Sequence, residues 1–301
     1  MSLESLLHRR DPSPWAQFFA SPLLFLARHL YNAQSTYRPP PSNIDPIRIV
    51  CISDTHNVHG SLPPLPAGDL LIHAGDLSQS GSLQEVNAAL DWMSVQPHPH
   101  KIFIAGNHDR CLEDPYYEST IKTVYPDLVY LQNASISLDI NGRTIKLYGS
   151  PLTPRHGSWV FQYPRIPASQ VSSSTTWSSV PTDTDVLITH GPPAHHLDGG
   201  NGCSALLDLL WKLRPKLHVF GHIHAARGVQ AVTWTVGQSA YERVCSGQGG
   251  WMDLVAIWLQ SIRWLWRSGR RSREAVTVLV NAAAVGGFRD EKRRCAVVVD
   301  I

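Results

Sequence analysis

The chain has 301 residues, of which 43% are apolar, and this is enough to bury the core of one large α/β domain. The net charge is only +2, which gives no general basic surface for a nucleic-acid polymer. The five cysteines are scattered, odd in number and without a CxxC pair. This usage disfavours a disulfide framework and fits a reducing compartment such as the cytoplasm.

Residues 1–46 are predicted to form an extension before the main domain. An apolar stretch at 15–31 is followed by three consecutive prolines at 39–41, which predict a stiff linker. The stretch is short for a membrane span and is interrupted by a proline and two basic residues. Three interpretations remain open: a helix packed on the domain, a helix that docks on a membrane or a protein, and a secretion signal.

From residue 47 onward the pattern alternates between strands and helices. Short apolar runs predict five strands, at 47–53, 69–73, 101–105, 185–189 and 217–220. Continuous apolar runs of this kind are typical of strands that are covered on both faces.

The other predicted elements are a helix at 82–96 with a capping box of Ser82 and Glu85, a hairpin of 135–140 and 143–148 around Asn141-Gly142, and late strands at 276–280 and 296–301. The expected architecture is a layered α/β sandwich, in which two packed sheets of partly mixed direction carry helices outside. The main domain is predicted at 47–301, with an insertion at about 229–275.

A polar motif follows each of the five strands. The motifs are Asp54-Thr55-His56, Gly75-Asp76, Gly106-Asn107-His108-Asp109, Thr189-His190-Gly191 and Gly221-His222-Ile223-His224. Carboxylate, imidazole and amide groups can hold two divalent cations with open positions, whereas the absence of cysteine from all five motifs argues against a closed structural zinc site. The sequence therefore predicts a dinuclear metal site that performs metal-assisted hydrolysis of a phosphate ester.

The chemistry of such a site suggests individual roles. Two close cations repel each other and need a bridging anion, which Asp76 can supply. Asp54 and His56 are two residues apart and can hold one ion from the same side of an extended strand end. The remaining ligands, some of which can divide between the two ions, are Asn107, His190, His222 and His224. Two metals lower the pKa of bound water enough to leave hydroxide near neutral pH.

The motifs SDTHN, HAGD, AGNHD, THGPP and GHIH resemble the five-block signature of the calcineurin-like metallophosphoesterase superfamily. Longer stretches of the chain, within roughly residues 47–228 and 276–301, resemble more closely the small metallophosphoesterase-domain proteins that act as cyclic-nucleotide phosphodiesterases. The resemblance implies a four-layered α/β sandwich of two mixed sheets flanked by helices, with Mn²⁺ or Fe as the usual metals.

The resemblance also implies roles for individual residues. One metal would be held by Asp54, His56, Asp76 and His224, and the other by Asp76, Asn107, His190 and His222. His108 would protonate the leaving oxygen, and Asp109 would orient the His108 ring.

Two departures from the wider superfamily bear on the substrate. Protein phosphatases of this fold place arginines beside the second and third blocks to clamp a dianionic phosphoryl group. Here residues 77–81 contain no arginine, and Ala105 precedes Gly106. A monoanionic phosphodiester, such as a cyclic nucleotide, is therefore favoured as the substrate.

Two other functions remain open: a phosphomonoesterase that acts on a small molecule or a protein, and a membrane-docked binding protein with a vestigial metal site. Arg110, Arg155 and His195 are candidates for substrate contacts, with an ordinary surface position as the alternative for each.

The insertion contains a tryptophan-rich segment at 251–266 that predicts a helix. One apolar face is predicted, formed by Trp251, Leu254, Val255, Trp258, Ile262 and Leu265. Five arginines stand at 263, 267, 270, 271 and 273. A helix packed on the core or on 15–31, and an interfacial membrane helix with an arginine collar, both fit this pattern.

Overall fold

A computed structural model describes residues 12–37, 45–267, 275–287 and 290–301. The chain divides into two compact units. The first, here called the helical unit, comprises Met1–Thr36 and Ala231–Val276, and the second, the sheet unit, comprises Tyr37–Gln230 and Thr277–Ile301. Most of the predicted extension and insertion thus falls in one unit, while the predicted proline linker lies outside the described residues.

The strands are β1 (Arg48–Ile52), β2 (Leu70–Ala74), β3 (His100–Ile104), β4 (Leu128–Tyr130), β5 (Ala134–Ile140), β6 (Arg143–Ser150), β7 (Thr153–Pro154), β8 (Gln162–Tyr163), β9 (Val186–Thr189), β10 (Leu217–Phe220), β11 (Gly228–Thr233), β12 (Val276–Asn281), β13 (Val285–Gly286), β14 (Lys292–Arg293) and β15 (Val297–Asp300). The α-helices are α1 (Pro14–Ala20), α2 (Pro22–Gln34), α3 (Leu83–Ser94), α4 (Pro115–Val124), α5 (Ser204–Leu213), α6 (Val236–Cys245) and α7 (Trp251–Arg267).

Two mixed sheets form the centre of the sheet unit. The first has the order β15-β1-β2-β3-β4, in which β15 is antiparallel to β1 and the other pairs are parallel. The second has the order β11-β12-β10-β9-β6-β5. Its β5–β6 hairpin turns at Asn141-Gly142, where both residues have positive φ, as the sequence predicted.

Alternation along β1 shows why the predicted strands are apolar throughout. Ile49 and Cys51 belong to a core cluster that also contains Leu147 and Val219 of the second sheet. Val50 and Ile52 point the other way, into a cluster with residues of α3 and α4. Each central strand is therefore covered on both faces, and the predicted four-layered α/β sandwich is confirmed.

Helix α3 begins directly after its predicted cap, Ser82, but Glu85 does not complete the predicted capping box. Ser82 Oγ accepts a hydrogen bond from the Glu85 backbone N–H, at 3.3 Å. The Glu85 carboxylate accepts instead from the backbone N–H groups of Gln79 and Ser80, at 2.9 and 2.7 Å. Glu85 therefore fixes the loop that follows β2.

The helical unit has its own small core. Ala27 and Tyr31 of α2, Tyr241 of α6 and Ile257 of α7 are buried together. The Tyr31 and Tyr241 rings are stacked, with their centroids 3.7 Å apart. The helix predicted in the insertion thus packs on the predicted N-terminal helix. No helix within the described residues is both long and apolar enough to cross a bilayer.

Candidate metal centre

The five polar motifs meet where the carboxyl ends of β1, β2, β3, β9 and β10 come together. Backbone hydrogen bonds join neighbouring loops just beyond the strands. The Asp54 N–H donates to Gly75 O at 2.9 Å, and the His56 N–H donates to Asp76 O at 3.1 Å. The Gly221 N–H similarly donates to His190 O, at 3.0 Å. These bonds extend the parallel pairing of the strands into the loops and so align the motif side chains.

Two motif glycines make room for the carboxylates. A Cβ at Gly106 would overlap Asp76 Oδ1, and a Cβ at Gly221 would overlap Asp54 Oδ2. The glycines of the third and fifth motifs therefore act as sites of close approach rather than as simple turn residues.

Several motif residues also adopt a backbone conformation that L-residues rarely use. Asp54, His56, Asp76 and His222 have φ of 54°, 41°, 54° and 66°. Left-handed backbone at non-glycine residues costs free energy and persists where surrounding structure enforces it, typically at functional sites. Four of the seven predicted metal ligands are held in this way.

The structure brings the predicted ligands into contact distance. Asp54, His56 and His224 form one cluster of potential ligand atoms, and Asp76, His190 and His222 form another. Asp76 belongs to a further cluster, with His56 and His108, and so lies between the two groups. The predicted amide ligand, Asn107, places Oδ1 3.1 Å from His190 Nε2.

Hydrogen bonds orient three of the imidazoles toward the centre. Nδ1 of His56 lies 3.2 Å from Ser78 O, Nδ1 of His190 lies 2.9 Å from Ala74 O, and Nδ1 of His224 lies 2.7 Å from an Asp290 carboxylate oxygen. An acceptor opposite Nδ1 places the proton on Nδ1, so the neutral ring presents its Nε2 lone pair to the centre.

The resulting donor set fits divalent cations. Nε2 of His56 and Nε2 of His224 face each other at 3.2 Å, and the latter is also 3.3 Å from Asp54 Oδ1. Asp76 Oδ2 lies 3.2 Å from His190 Nε2. Facing lone pairs and carboxylate oxygens repel one another unless a proton or a cation lies between them, and this mixture of nitrogen and oxygen donors suits first-row divalent metals.

The ionisation of these groups supports the same conclusion. Burial opposes the charged form of Asp54, but the hydrogen bond and charge of His224 lower the Asp54 pKa to about 2. Burial likewise opposes ionisation of Asp76, yet the charge and hydrogen bond of His190 hold the Asp76 pKa well below its usual range. Burial disfavours the charged imidazoles too, whereas the neighbouring carboxylates raise the pKa of His190 and of His224 to about 9. The buried carboxylates thus require positive charge beside them, which a divalent cation supplies.

Asp109 has a different role from the one expected. Its carboxylate accepts from the backbone N–H groups of Leu77, Ser78 and Gly106, at 3.1, 2.8 and 2.8 Å, and from Ser78 Oγ at 2.7 Å. The group opposite His108 Nδ1 is instead the Gln79 carbonyl, at 2.8 Å. The prediction that Asp109 orients the His108 ring is therefore wrong, because this carboxylate is used to join the loops after β2 and β3.

His108 lies at the mouth of the site. Its ring centroid is 4.7 Å from that of His56 and 4.3 Å from that of Trp159. The Gln79 carbonyl that orients it belongs to the loop that Glu85 fixes. Because Nδ1 donates to this carbonyl, Nε2 is the atom that can carry a transferable proton.

A cleft of about 180 Å³ opens above these residues. It is lined by His56, Asp76, Gln79, Asn107, His108, His156, Trp159, His222, His224 and Asp290. Four of these, Gln79, His156, Trp159 and Asp290, were not singled out from the sequence.

The described lining does not include the three residues predicted to contact substrate, Arg110, Arg155 and His195. Arg110 and Arg155 are exposed to solvent, and the His195 N–H donates to Asp198 in a separate loop. Directly after Arg155, the His156 ring lies against His222, with centroids 4.7 Å apart. Substrate contacts by Arg110, Arg155 and His195 therefore stay a prediction. His156 and Trp159, in the connection between β7 and β8, are two residues beyond the motifs that line the cleft.

Comparison with known proteins agrees with this architecture. Residues 47–226 match the family described as calcineurin-like phosphoesterase. Metallophosphoesterase domain-containing protein 1 of Homo sapiens is 34% identical over 242 residues, covering 67% of this chain and 72% of that protein. The UPF0046 protein K07C11.7 of Caenorhabditis elegans is 32% identical over 215 residues, covering 66% and 71%.

A longer protein also matches almost the whole chain. The probable rhamnogalacturonate lyase C of Emericella nidulans is 43% identical over 311 residues, covering 99% of this chain. The chain spans only 29% of the length of that protein. With the family match extending over all five motifs and more than half of the residues, the chain belongs to the calcineurin-like phosphoesterase family.

Proposed function

We propose that the protein is a metal-dependent phosphoesterase that prefers phosphodiesters. The family and the clustered ligands support metal-dependent ester hydrolysis. In this proposal one cation is held by Asp54, His56, Asp76 and His224, and the other by Asp76, Asn107, His190 and His222. Mn²⁺ or Fe suits the mixed nitrogen and oxygen ligands. When bound, the cations polarise the phosphoryl oxygens and lower the pKa of coordinated water.

The protein's own groups have distinct tasks in this proposal. The Asp76 carboxylate would be shared by the two ions, and its Oδ1 accepts a hydrogen bond from the His108 backbone N–H at 2.8 Å. His108, whose Nδ1–H is held by the Gln79 carbonyl, gives the proton on Nε2 to the leaving oxygen. Asp109 keeps the loops that carry Asp76 and His108 in register.

The preference for diesters rests on one observation. Among the described residues that line the cleft, the polar side chains are imidazoles, carboxylates and amides, and neither lysine nor arginine occurs. A phosphate monoester carries two negative charges, which the metals do not fully neutralise. Enzymes that bind such a dianion usually add an arginine that makes two hydrogen bonds to the phosphoryl group. A diester carries one negative charge and does not need such an arginine, so the lining of the cleft suits a diester better than a monoester.

The exposed ring of Trp159 favours esters that have a planar leaving group as substrates. Its indole is 46% exposed and leans over the His108 ring at 30°. An exposed aromatic face beside the proton donor can stack on a nucleobase or an aryl group. Nucleotide diesters, including cyclic nucleotides, are therefore the first natural substrates to test.

The diester preference can be tested with two chromogenic esters. The full chain, reconstituted with Mn²⁺, should hydrolyse bis-p-nitrophenyl phosphate with a higher kcat/KM than p-nitrophenyl phosphate. His190→Asn should abolish both activities, while His100→Asn, outside the site at the start of β3, should keep both. Preference for the monoester would refute the diester proposal, and metal binding without either activity would favour the binding-protein alternative.

The role of Trp159 needs a separate comparison. Trp159→Leu should lower kcat/KM for aryl and nucleoside diesters by about 5- to 100-fold, the usual range for loss of one stacking partner. Diesters with small alkyl leaving groups should be affected much less. An equal loss on both classes would mean that Trp159 acts by supporting His108 rather than by contacting substrate.

A further inference from the structure

Helix α7 has an unusual distribution of side chains. From position 251 to position 259, every exposed residue is large and apolar: Trp251, Met252, Val255, Trp258 and Leu259. Their exposed fractions are 61%, 80%, 45%, 50% and 47%. Their spacing of three and four residues places them along one side of the helix. We call this surface the α7 apolar face.

The covered side of α7 carries two polar residues, Asp253 and Gln260. Asp253 is ion-paired with Arg243 of α6, at 2.5 Å. The Gln260 amide contacts Thr235 Oγ1 at 2.5 Å and Thr233 Oγ1 at 3.1 Å. Ile257 is fully buried on the same side. The predicted single apolar face is therefore divided: Leu254 packs inside the helical unit, while Trp251, Val255 and Trp258 face solvent. An exposed apolar face opposite a covered side that holds polar side chains is typical of an interaction surface.

A second helix of the helical unit is also apolar at its surface. In α1, Trp15 and Phe19 are 71% and 74% exposed, and their rings are stacked with centroids 6.2 Å apart. The helix has no acidic residue in its first turn and no buried residue. Amphipathic aromatic side chains of this kind are typical of the boundary between lipid headgroups and acyl chains.

The charge of the helical unit favours an anionic partner. Its sequence contains nine arginines and five acidic residues, a net charge of +4. Because the whole chain carries +2, the sheet unit carries −2. Five of the nine arginines stand at 263–273, after the α7 apolar face in the sequence, and those at 270, 271 and 273 lie outside the described residues. An apolar face followed by clustered arginines matches acyl chains beneath anionic headgroups.

We propose that the helical unit docks on an anionic lipid surface through the α7 apolar face. The apolar residues enter the headgroup boundary, and the net positive charge of the helical unit adds an attraction to anionic lipid. Membrane binding of this kind scales with the apolar area buried and with the attraction to anionic lipid. It uses no residue of the metal centre, so it stands independently of the proposed hydrolysis.

Vesicle flotation of the full chain tests this proposal. The wild type should float with phosphatidylcholine vesicles that contain phosphatidylserine, and much less with phosphatidylcholine alone. Trp251→Gln with Trp258→Gln should weaken the binding at least about tenfold, since burial of two half-exposed indoles is lost. Replacing Arg270, Arg271 and Arg273 by Gln should weaken it on the order of 100-fold at low ionic strength, at about 1 kcal/mol per arginine.

A matched control uses equally exposed residues of the sheet unit. Tyr116→Gln with Val124→Gln, at positions 71% and 58% exposed, should float like the wild type. Hydrolysis of a soluble ester and thermal melting show that each variant is folded. A wild type that does not float with anionic vesicles, or a tryptophan variant that floats equally well, would overturn the proposal. A dimer in light scattering that the tryptophan substitutions dissociate, without vesicle binding, would assign the face to a second copy instead.

Discussion

Replacing Gly106 by alanine tests how tightly the bridging carboxylate is held. A Cβ at this position would overlap Asp76 Oδ1 and lie 2.8 Å from Asp76 Cγ. Gly106 cannot easily retreat, because its N–H donates to the buried Asp109 carboxylate at 2.8 Å. The strain must therefore fall on Asp76.

The expected magnitude follows from these distances. Ordinary contact with a Cβ begins at 3.4 Å, so Asp76 Oδ1 at 2.2 Å must move by about 1.2 Å. Metal–ligand distances tolerate only about 0.2 Å. A ligand shift of this size should weaken metal binding and lower kcat by roughly 100-fold. Overpacking should also cost about 1–3 kcal/mol of stability.

Metal content after dialysis, kcat on bis-p-nitrophenyl phosphate and the melting temperature measure these effects. Gly60→Ala is the matched control, because nothing lies within 4 Å of its Cβ and its φ is not positive. That variant should resemble the wild type in all three measurements. A Gly106→Ala protein that keeps two metals and the wild-type rate would refute the reasoning.

Three further predictions concern histidines and one carboxylate. His108→Ala should keep its metals but lose about 10²- to 10⁴-fold in rate on diesters with poor leaving groups, and less on p-nitrophenyl esters; equal losses would assign it another role. Asp290→Ala should weaken metal affinity roughly 10- to 100-fold in calorimetry, because Asp290 orients His224, and Asp290→Asn should restore part of it; unchanged affinity would contradict this. Burial lowers the pKa of His73 and of His218 to about 3, below the ordinary 6.5. Below pH 6.5 the unfolded chain therefore binds more protons than the folded one. The free energy of unfolding of the metal-free protein should decrease as the pH is lowered from 6.5 to 3. The decrease should reach up to about 1.4 kcal/mol per pH unit for each histidine. Denaturant melts across this range should show a smaller fall for His218→Gln.

The convergence of the motifs could be predicted from the sequence for a physical reason. Short apolar runs predicted five strands covered on both faces, each followed directly by a polar motif. In the structure these strands pair in parallel within each of two sheets, so that their carboxyl ends, and the motifs after them, come together. The chemistry of the donor groups then indicated cations. Asp76 lies between the two ligand clusters, where the need for a bridging anion had placed it.

The parts of the site that were missed depend on loops and on distant segments. Asp290 is 66 positions from His224, and no local spacing connects the two residues. Trp159 and His156 belong to an irregular connection, where neither period 2 nor period 3.6 indicates which side chain faces the cleft.

Asp109 and α7 show two different reasons for error. The position of Asp109 beside His108 in the sequence suggested a direct contact. In the structure its carboxylate instead accepts hydrogen bonds from the backbone N–H groups of two loops. In α7, apolar residues occur on both sides, so hydrophobicity alone did not distinguish Leu254, which packs, from Val255, which is exposed. Asp253 and Gln260 lie on the covered side because their partners lie there, and the sequence does not identify those partners.

The central claim is that two cations are held on either side of Asp76. Anomalous scattering from crystals of the protein grown with Mn²⁺ measures this directly. We predict two anomalous peaks in contact with the Asp76 carboxylate, one beside Asp54, His56 and His224 and one beside Asn107, His190 and His222. A single peak, or peaks that do not contact Asp76, would contradict the account.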